Sequence, residues 1–185
     1  MLKNALLRHK LADTNRISSF VTALQLNKFQ ILVPDQNELA KCLYPVSPSQ
    51  ITIAKNSQSI SYHSHSLAAY GASIMALHVN KMLLQLFKNK TYDINGKNFN
   101  YLQLIDNRKL TDSNHLVKSF LKTNNITRLS HLPLPMDRIP TRIQRRFDVV
   151  SFHSIIGYLA LSNDVKAIDT FIEKSIMPGM VKFIL

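Results

Sequence analysis

Only four glycines occur in 185 residues, and this scarcity limits how the chain can turn, because left-handed backbone in tight turns falls mostly to glycine. Gly-rich phosphate loops are excluded, and sandwiches built on many tight turns are disfavoured. The apolar residues instead recur at helical spacing along nearly the whole chain. Asp35 to Leu43 reads as a short helix stopped by Pro45 and Pro48. Ser64 or Ser66 caps a long helix running to about Phe87, its hydroxyl accepting an otherwise orphaned backbone N–H. Phe99 to Ile105 forms another short helix. A helix beginning at Thr111 or Ser113 gathers Leu116, Val117, Phe120 and Leu121 on one face and Lys118 and Lys122 on another. Pro133, Pro135 and Pro140 impose an extended connection, and Asp148 to Leu161 is again strongly apolar. Ser162 or Asn163 opens a last helix with Val165, Ile168, Ile172 and Ile176 on one face, ended by Pro178 and Gly179. No alternating strand stands out, so the expectation is an all-α domain.

The length suits one domain over residues 35–185, preceded by a basic stretch, 1–34. No membrane span is expected, because the apolar run Leu67–Val79 is too short to cross a bilayer. Cys42 stands alone, which excludes a disulfide scaffold and suggests a buried free thiol. His63 and His65 lack the partners of a zinc site, and no G-x-S-x-G nucleophile elbow occurs. No metal or other cofactor is expected. Residues 1–34 carry Lys3, Arg8, Lys10, Arg16 and Lys28 against the single acid Asp13, interleaved with Leu6, Leu7, Leu11, Ser18 and Ser19. That is the composition of a mitochondrial presequence; a basic helix lying on RNA or on the domain fits the same residues.

The formal net charge is +12, and it is unevenly placed. Residues 81–146 hold 13 Lys and Arg against 4 acids, whereas the remainder holds 10 against 7. A concentration of this kind points to a polyanion. The candidate RNA-binding residues are Lys118, Lys122, Arg128, Arg138, Arg142, Arg145 and Arg146, the last four read as a loop around the prolines. Arginine suits phosphate because its planar fork makes two parallel hydrogen bonds. An even spread of charge would have suggested a merely solvated face. Nearby aromatics (Tyr92, Phe99, Tyr101, Phe120, Phe147) follow core spacing rather than forming base-stacking platforms.

Gly71 and Gly157 lie inside apolar helices, where glycine costs about 1 kcal/mol relative to alanine, so both mark close approach of a neighbour. Their surroundings read His65-Ser-Leu-Ala-Ala-Tyr-Gly-Ala-Ser-Ile74 and Val149-Val-Ser-Phe-His-Ser-Ile-Ile-Gly-Tyr158. The chain resembles the ribonuclease III endonuclease domain. The first segment falls on that family's E-R-L-E-F-L-G-D-A-V signature with Leu67 and Gly71 in place. The second falls on A-D-A-F-E-A-L-I-G-A with Phe152, Ile156 and Gly157 in place. The helix from Thr111 resembles the N-x-x-x-L-A helix, and Ala167 to Ile176 resembles A-x-x-F-I-x-x-x-I. The ordered set spans roughly residues 36–178.

Active members of that family hold divalent metal with four carboxylates, two per signature helix. Oxygen ligands are what Mg²⁺ demands, and the metals activate water for phosphodiester cleavage. The corresponding positions here are Ala68, Ala72, Val150 and His153, with His65 at a further acidic position. Asp148 lies off that face and has no evident partner in the sequence. The resemblance therefore implies a retained fold without its chemistry. It resembles the fungal mitochondrial large-subunit ribosomal proteins that carry this fold, with no double-stranded-RNA-binding domain expected behind it. The function expected is a non-enzymatic constituent of the mitochondrial large ribosomal subunit, in the matrix. Its partners would be large-subunit rRNA, neighbouring ribosomal proteins, and a second ribonuclease III-like ribosomal protein with which it forms a heterodimer. Two other readings stay open: a double-stranded-RNA endoribonuclease or pseudo-subunit of a processing complex, and a free mitochondrial RNA-binding maturation or translation factor.

Overall fold

The computed structural model describes residues 2–47, 49–55, 58–87, 113–133 and 138–184. Along them run α1 (Leu2–Ala23), a 3₁₀ turn (Leu26–Phe29), α2 (Gln36–Lys41), β1 (Gln50–Lys55), β2 (Gln58–His63), α3 (Ser64–Phe87), α4 (Ser113–Thr123), α5 (Thr141–Ser162) and α6 (Val165–Phe171). A π-helical turn (Ile172–Ile176) then leads into α7 (Met177–Val181). The helix expected over Phe99–Ile105, and Pro135, lie outside the described residues.

The centre of the fold is the crossing of α3 and α5. A Cβ on Gly71 would stand 1.9 Å from the His153 carbonyl oxygen, and one on Gly157 would stand 2.3 Å from the Leu67 carbonyl oxygen. The two helices therefore touch backbone to backbone, and only glycine permits it. Around this contact lie Leu67, Met75, Val79, Phe152, Ile155 and Ile156, all buried. α3 is long and apolar enough to span a bilayer by length and composition, but its buried face belongs to this core. Phe152 meets Phe20 of α1 and Phe120 of α4, each at 6.1 Å between ring centroids. Ile17, Phe20, Leu24, Leu26 and Ile31 from the basic N-terminal stretch are buried in the same core. The Tyr158 hydroxyl donates to the Asp35 carbonyl at 3.1 Å, fastening α5 to the start of α2.

The fold is largely helical, as the spacing predicts, but it is not all-α. β1 and β2 form an antiparallel hairpin with Ile51 opposite Tyr62 and Ile53 opposite Ile60. Only Ile51 and Ile53 turn inward, so the alternation is two apolar residues long, and β2 is mostly exposed. What holds the hairpin is distant in sequence. The Glu38 carboxylate accepts from the Thr52 N–H at 2.7 Å, and Lys41 Nζ donates to both Glu38 and the Gln50 carbonyl.

Three boundaries also differ from expectation. α5 begins at Thr141, two turns before the apolar run, so Arg142, Arg145 and Arg146 are helical and only Arg138 precedes the helix. The cap of α6 is Asp164, which accepts from Lys166 N. Asn163 is instead buried, its amide exchanging two hydrogen bonds with the Leu32 backbone. Pro178 and Gly179 do not end the last helix but lie within α7. The π turn breaks the regular ladder just ahead of them, so Pro178 stands at a new helix start, where its missing N–H is tolerated.

Candidate nucleic-acid interface

α5 has two contrasting faces at its N-terminal end. The inward face carries Gln144 and Asp148, one turn apart and both buried. Asp148 accepts from Ser130 N (2.9 Å), Ser130 Oγ (2.8 Å), Gln144 Nε2 (2.9 Å) and Arg128 N (3.1 Å). A buried carboxylate is tolerated when donors surround it in this way. Asp148 thus has a full set of partners, contrary to expectation, and it clamps the 128–130 segment onto α5. The i,i+4 pair Gln144 and Asp148 on an otherwise apolar face was the available sequence signal.

The outward face carries Arg142, Arg145 and Arg146, all exposed. Spacings of three and four residues bring these side chains to one side of the helix. Arg142 lies in the first turn, where the helix dipole disfavours a cation by about 0.3–1 kcal/mol. Lys118 and Lys122 are exposed one turn apart on α4, opposite its buried Leu116, Val117, Phe120 and Leu121. α4 and α5 pack against each other. Arg128, exposed on the intervening segment, has left-handed backbone (φ 59°) held by Asp148. Arg138 is exposed just before α5. All seven candidate cations therefore lie at the surface, in two helical rows and the segments joining them.

The four positions set against carboxylates in the resemblance lie on the two crossing helices. Ala68, Ala72 and Val150 are half-buried, and His153 is buried. Burial alone pushes the His153 imidazole down to about 4, so it is neutral near pH 7. Its Nε2 has no hydrogen-bond partner among the described residues. No group of three or more His, Cys, Asp or Glu among the described residues is placed to hold a metal ion. His63 and His65 stack on each other, ring centroids 5.4 Å apart. Cys42 is a buried free thiol, its pKa raised by that burial.

A second polar cluster joins α1 to the middle of the chain. Asp13 Oδ1 lies 3.1 Å from Arg16 Nη1 and 3.2 Å from His131 Nδ1. The Tyr44 hydroxyl donates to Asp13 Oδ2, and the Tyr44 ring stacks on His131 at 4.8 Å. Arg16 is thereby held in one orientation, partly buried beside Asp13 and His131.

No protein-family model matches the chain, and no solved structure matches it. It is similar to the mitochondrial cytochrome b translational activator protein CBS1 of Saccharomyces cerevisiae, with 28% identity over 164 residues, covering 79% of this chain and 72% of that protein.

Proposed function

We propose that this protein is a non-catalytic RNA-binding protein of mitochondrial translation. The observation that carries the proposal is the arginine face of α5. Three guanidinium groups share one side of a helix, and the first of them, Arg142, lies in the N-terminal turn that disfavours a cation, a placement that a bound phosphate backbone offsets. The likeness to a mitochondrial translational activator supports the compartment and the process. The non-enzymatic part of the proposal rests on Ala68, Ala72, Val150 and the neutral His153, none of which offers a carboxylate oxygen to a hard cation. Fluorescence titration of duplex RNA across a potassium chloride series tests the binding surface. Mutating Arg142, Arg145 and Arg146 together to alanine should weaken binding and reduce the log–log salt slope by about 2–3, one counterion per lost phosphate contact. An unchanged slope removes this face from the interface.

A second reading has support of its own in the ordered resemblance to ribonuclease III domains. On that reading the protein is a constituent of the mitochondrial large ribosomal subunit, binding its rRNA beside a second ribonuclease III-like protein. Sedimentation of mitochondrial lysate in high salt separates the two. Co-migration with the large subunit supports the constituent, and release into soluble fractions supports the translation factor.

A further inference from the structure

A cleft of about 440 Å³ opens between α1 and the segment after α4, within the size range of small-ligand sites, roughly 300–1,000 Å³. One wall is Asn15, Arg16 and Ser19; the other is Asn124, Asn125 and Thr127. Phe20, Ile126 and Leu129 make an apolar floor. Among the described residues no carboxylate lines it, and the nearby Asp13 is buried and engaged by Arg16, Tyr44 and His131.

The walls are built in advance. Asn125 has left-handed backbone (φ 55°), and its N–H donates to the Lys122 carbonyl at 3.2 Å. Ile126 N donates to the Leu121 carbonyl at 2.9 Å, and Asp148 holds the segment from Arg128 onward. The side chains of Asn15, Ser19, Asn125 and Thr127 make no hydrogen bond among the described residues. Each asparagine amide offers two donors and an acceptor side by side, a pattern complementary to the edge of an unpaired base. Lys122, exposed, precedes the cleft segment in sequence and suits the phosphate on that side.

We propose that this cleft seats one unpaired nucleotide of a single-stranded RNA, with the base against the apolar floor and its edge on the asparagine amides. In a duplex those base edges are already paired, so the cleft selects single strands. The inference rests on the RNA-binding reading and gives it a site distinct from the arginine face of α5.

The test uses the full chain with three probes: a fluorescein-labelled heptauridylate, a 20-base-pair duplex RNA, and uridine monophosphate. The double variant Asn15→Ala with Asn125→Gly removes both amides while keeping a residue that accepts the left-handed backbone. At an unchanged melting temperature it should weaken heptauridylate binding about tenfold and leave duplex binding unchanged. Photo-crosslinking of a 4-thiouridine oligomer to the unmutated protein gives an independent readout, with adducts expected within residues 15–23 or 124–129. Unchanged heptauridylate affinity in the variant, or adducts confined to other segments, overturns the cleft. Uridine monophosphate binding as tightly as heptauridylate assigns the site to a free nucleotide and overturns the RNA occupant. Duplex binding without single-strand binding overturns the cleft and leaves the broader function standing, whereas a protein that holds neither RNA overturns both.

Discussion

Replacing Gly71 with alanine tests whether the α3–α5 crossing is as close as the structure places it. The new methyl carbon would stand 1.9 Å from the His153 carbonyl oxygen and 2.8 Å from Gly157 N. Ordinary carbon-to-oxygen contacts close at about 3.3 Å, so α3 must retreat by about 1.4 Å along that line. The carbonyl cannot yield alone, since it belongs to the interior hydrogen-bond ladder of α5. A gap of about 0.5–1 Å already forfeits a quarter to a half of the dispersion attraction across an interface. The affected neighbours include Leu67, Met75, Phe152 and Ile156, all buried. Overpacking at such a site costs about 3 kcal/mol or more, and alanine recovers about 1 kcal/mol of helix propensity. The net loss is about 2–4 kcal/mol, which at roughly 2–4 °C per kcal/mol lowers the melting temperature by about 5–15 °C. Circular dichroism melting measures it. Gly179→Ala is the comparison: its methyl group would meet the Phe120 ring at 2.8 Å, a buried side chain packed on Phe152 and not a backbone, so that variant should lose about 1–2 kcal/mol, less than Gly71→Ala. A Gly71→Ala protein melting at or above the parent temperature would show that the helices do not touch there, leaving only the propensity gain.

Other expectations follow from the buried polar groups. Asp148→Asn can keep its oxygen on the Ser130 and Gln144 donors only by setting its N–H₂ against the Arg128 N–H, and should cost about 1–3 kcal/mol in urea unfolding while raising the amide exchange of residues 128–130. Unchanged exchange there would show that the carboxylate does not clamp the segment. His153 is held at about 4 by burial, below its ordinary 6.5, so the unfolded chain binds the proton more readily. Its contribution to stability is complete above pH 6.5 and is lost as pH falls toward 4, by up to about 3 kcal/mol. Comparing urea midpoints at pH 7 and pH 4.5, His153→Leu should flatten that decline; an equal decline in both proteins would place the imidazole in contact with solvent.

What could be read in advance depended on how local the cause was. α3 was legible to its end because its apolar residues recur at helical spacing over Ser64–Phe87; the expected serine cap was not found, since Ser64 opens the helix and its hydroxyl donates to the Ser47 carbonyl. Asp35 was legible as a helix start because its carboxylate serves N–H groups two and three residues on. The hairpin was not, because Ile51 and Ile53 alone alternate and the groups that secure it, Glu38 and Lys41, belong to a preceding helix. The first two turns of α5 were hidden because Arg142, Arg145 and Arg146 leave little apolar pattern, and the helix there is anchored by Gln144 reaching Ser130 and Asp148. The seven surface cations were legible from charge density alone. The polar cleft was not, since Asn15 and Asn125 line it from segments far apart in the chain.

The central claim, an RNA-holding protein without nuclease chemistry, is tested most directly by incubating the purified protein with labelled duplex RNA and Mg²⁺, with and without chelator, and resolving the products on a denaturing gel beside a native gel of the same reactions. The account predicts a shifted complex whose RNA stays full length in both conditions. RNA cut in Mg²⁺ and spared by chelator would contradict it.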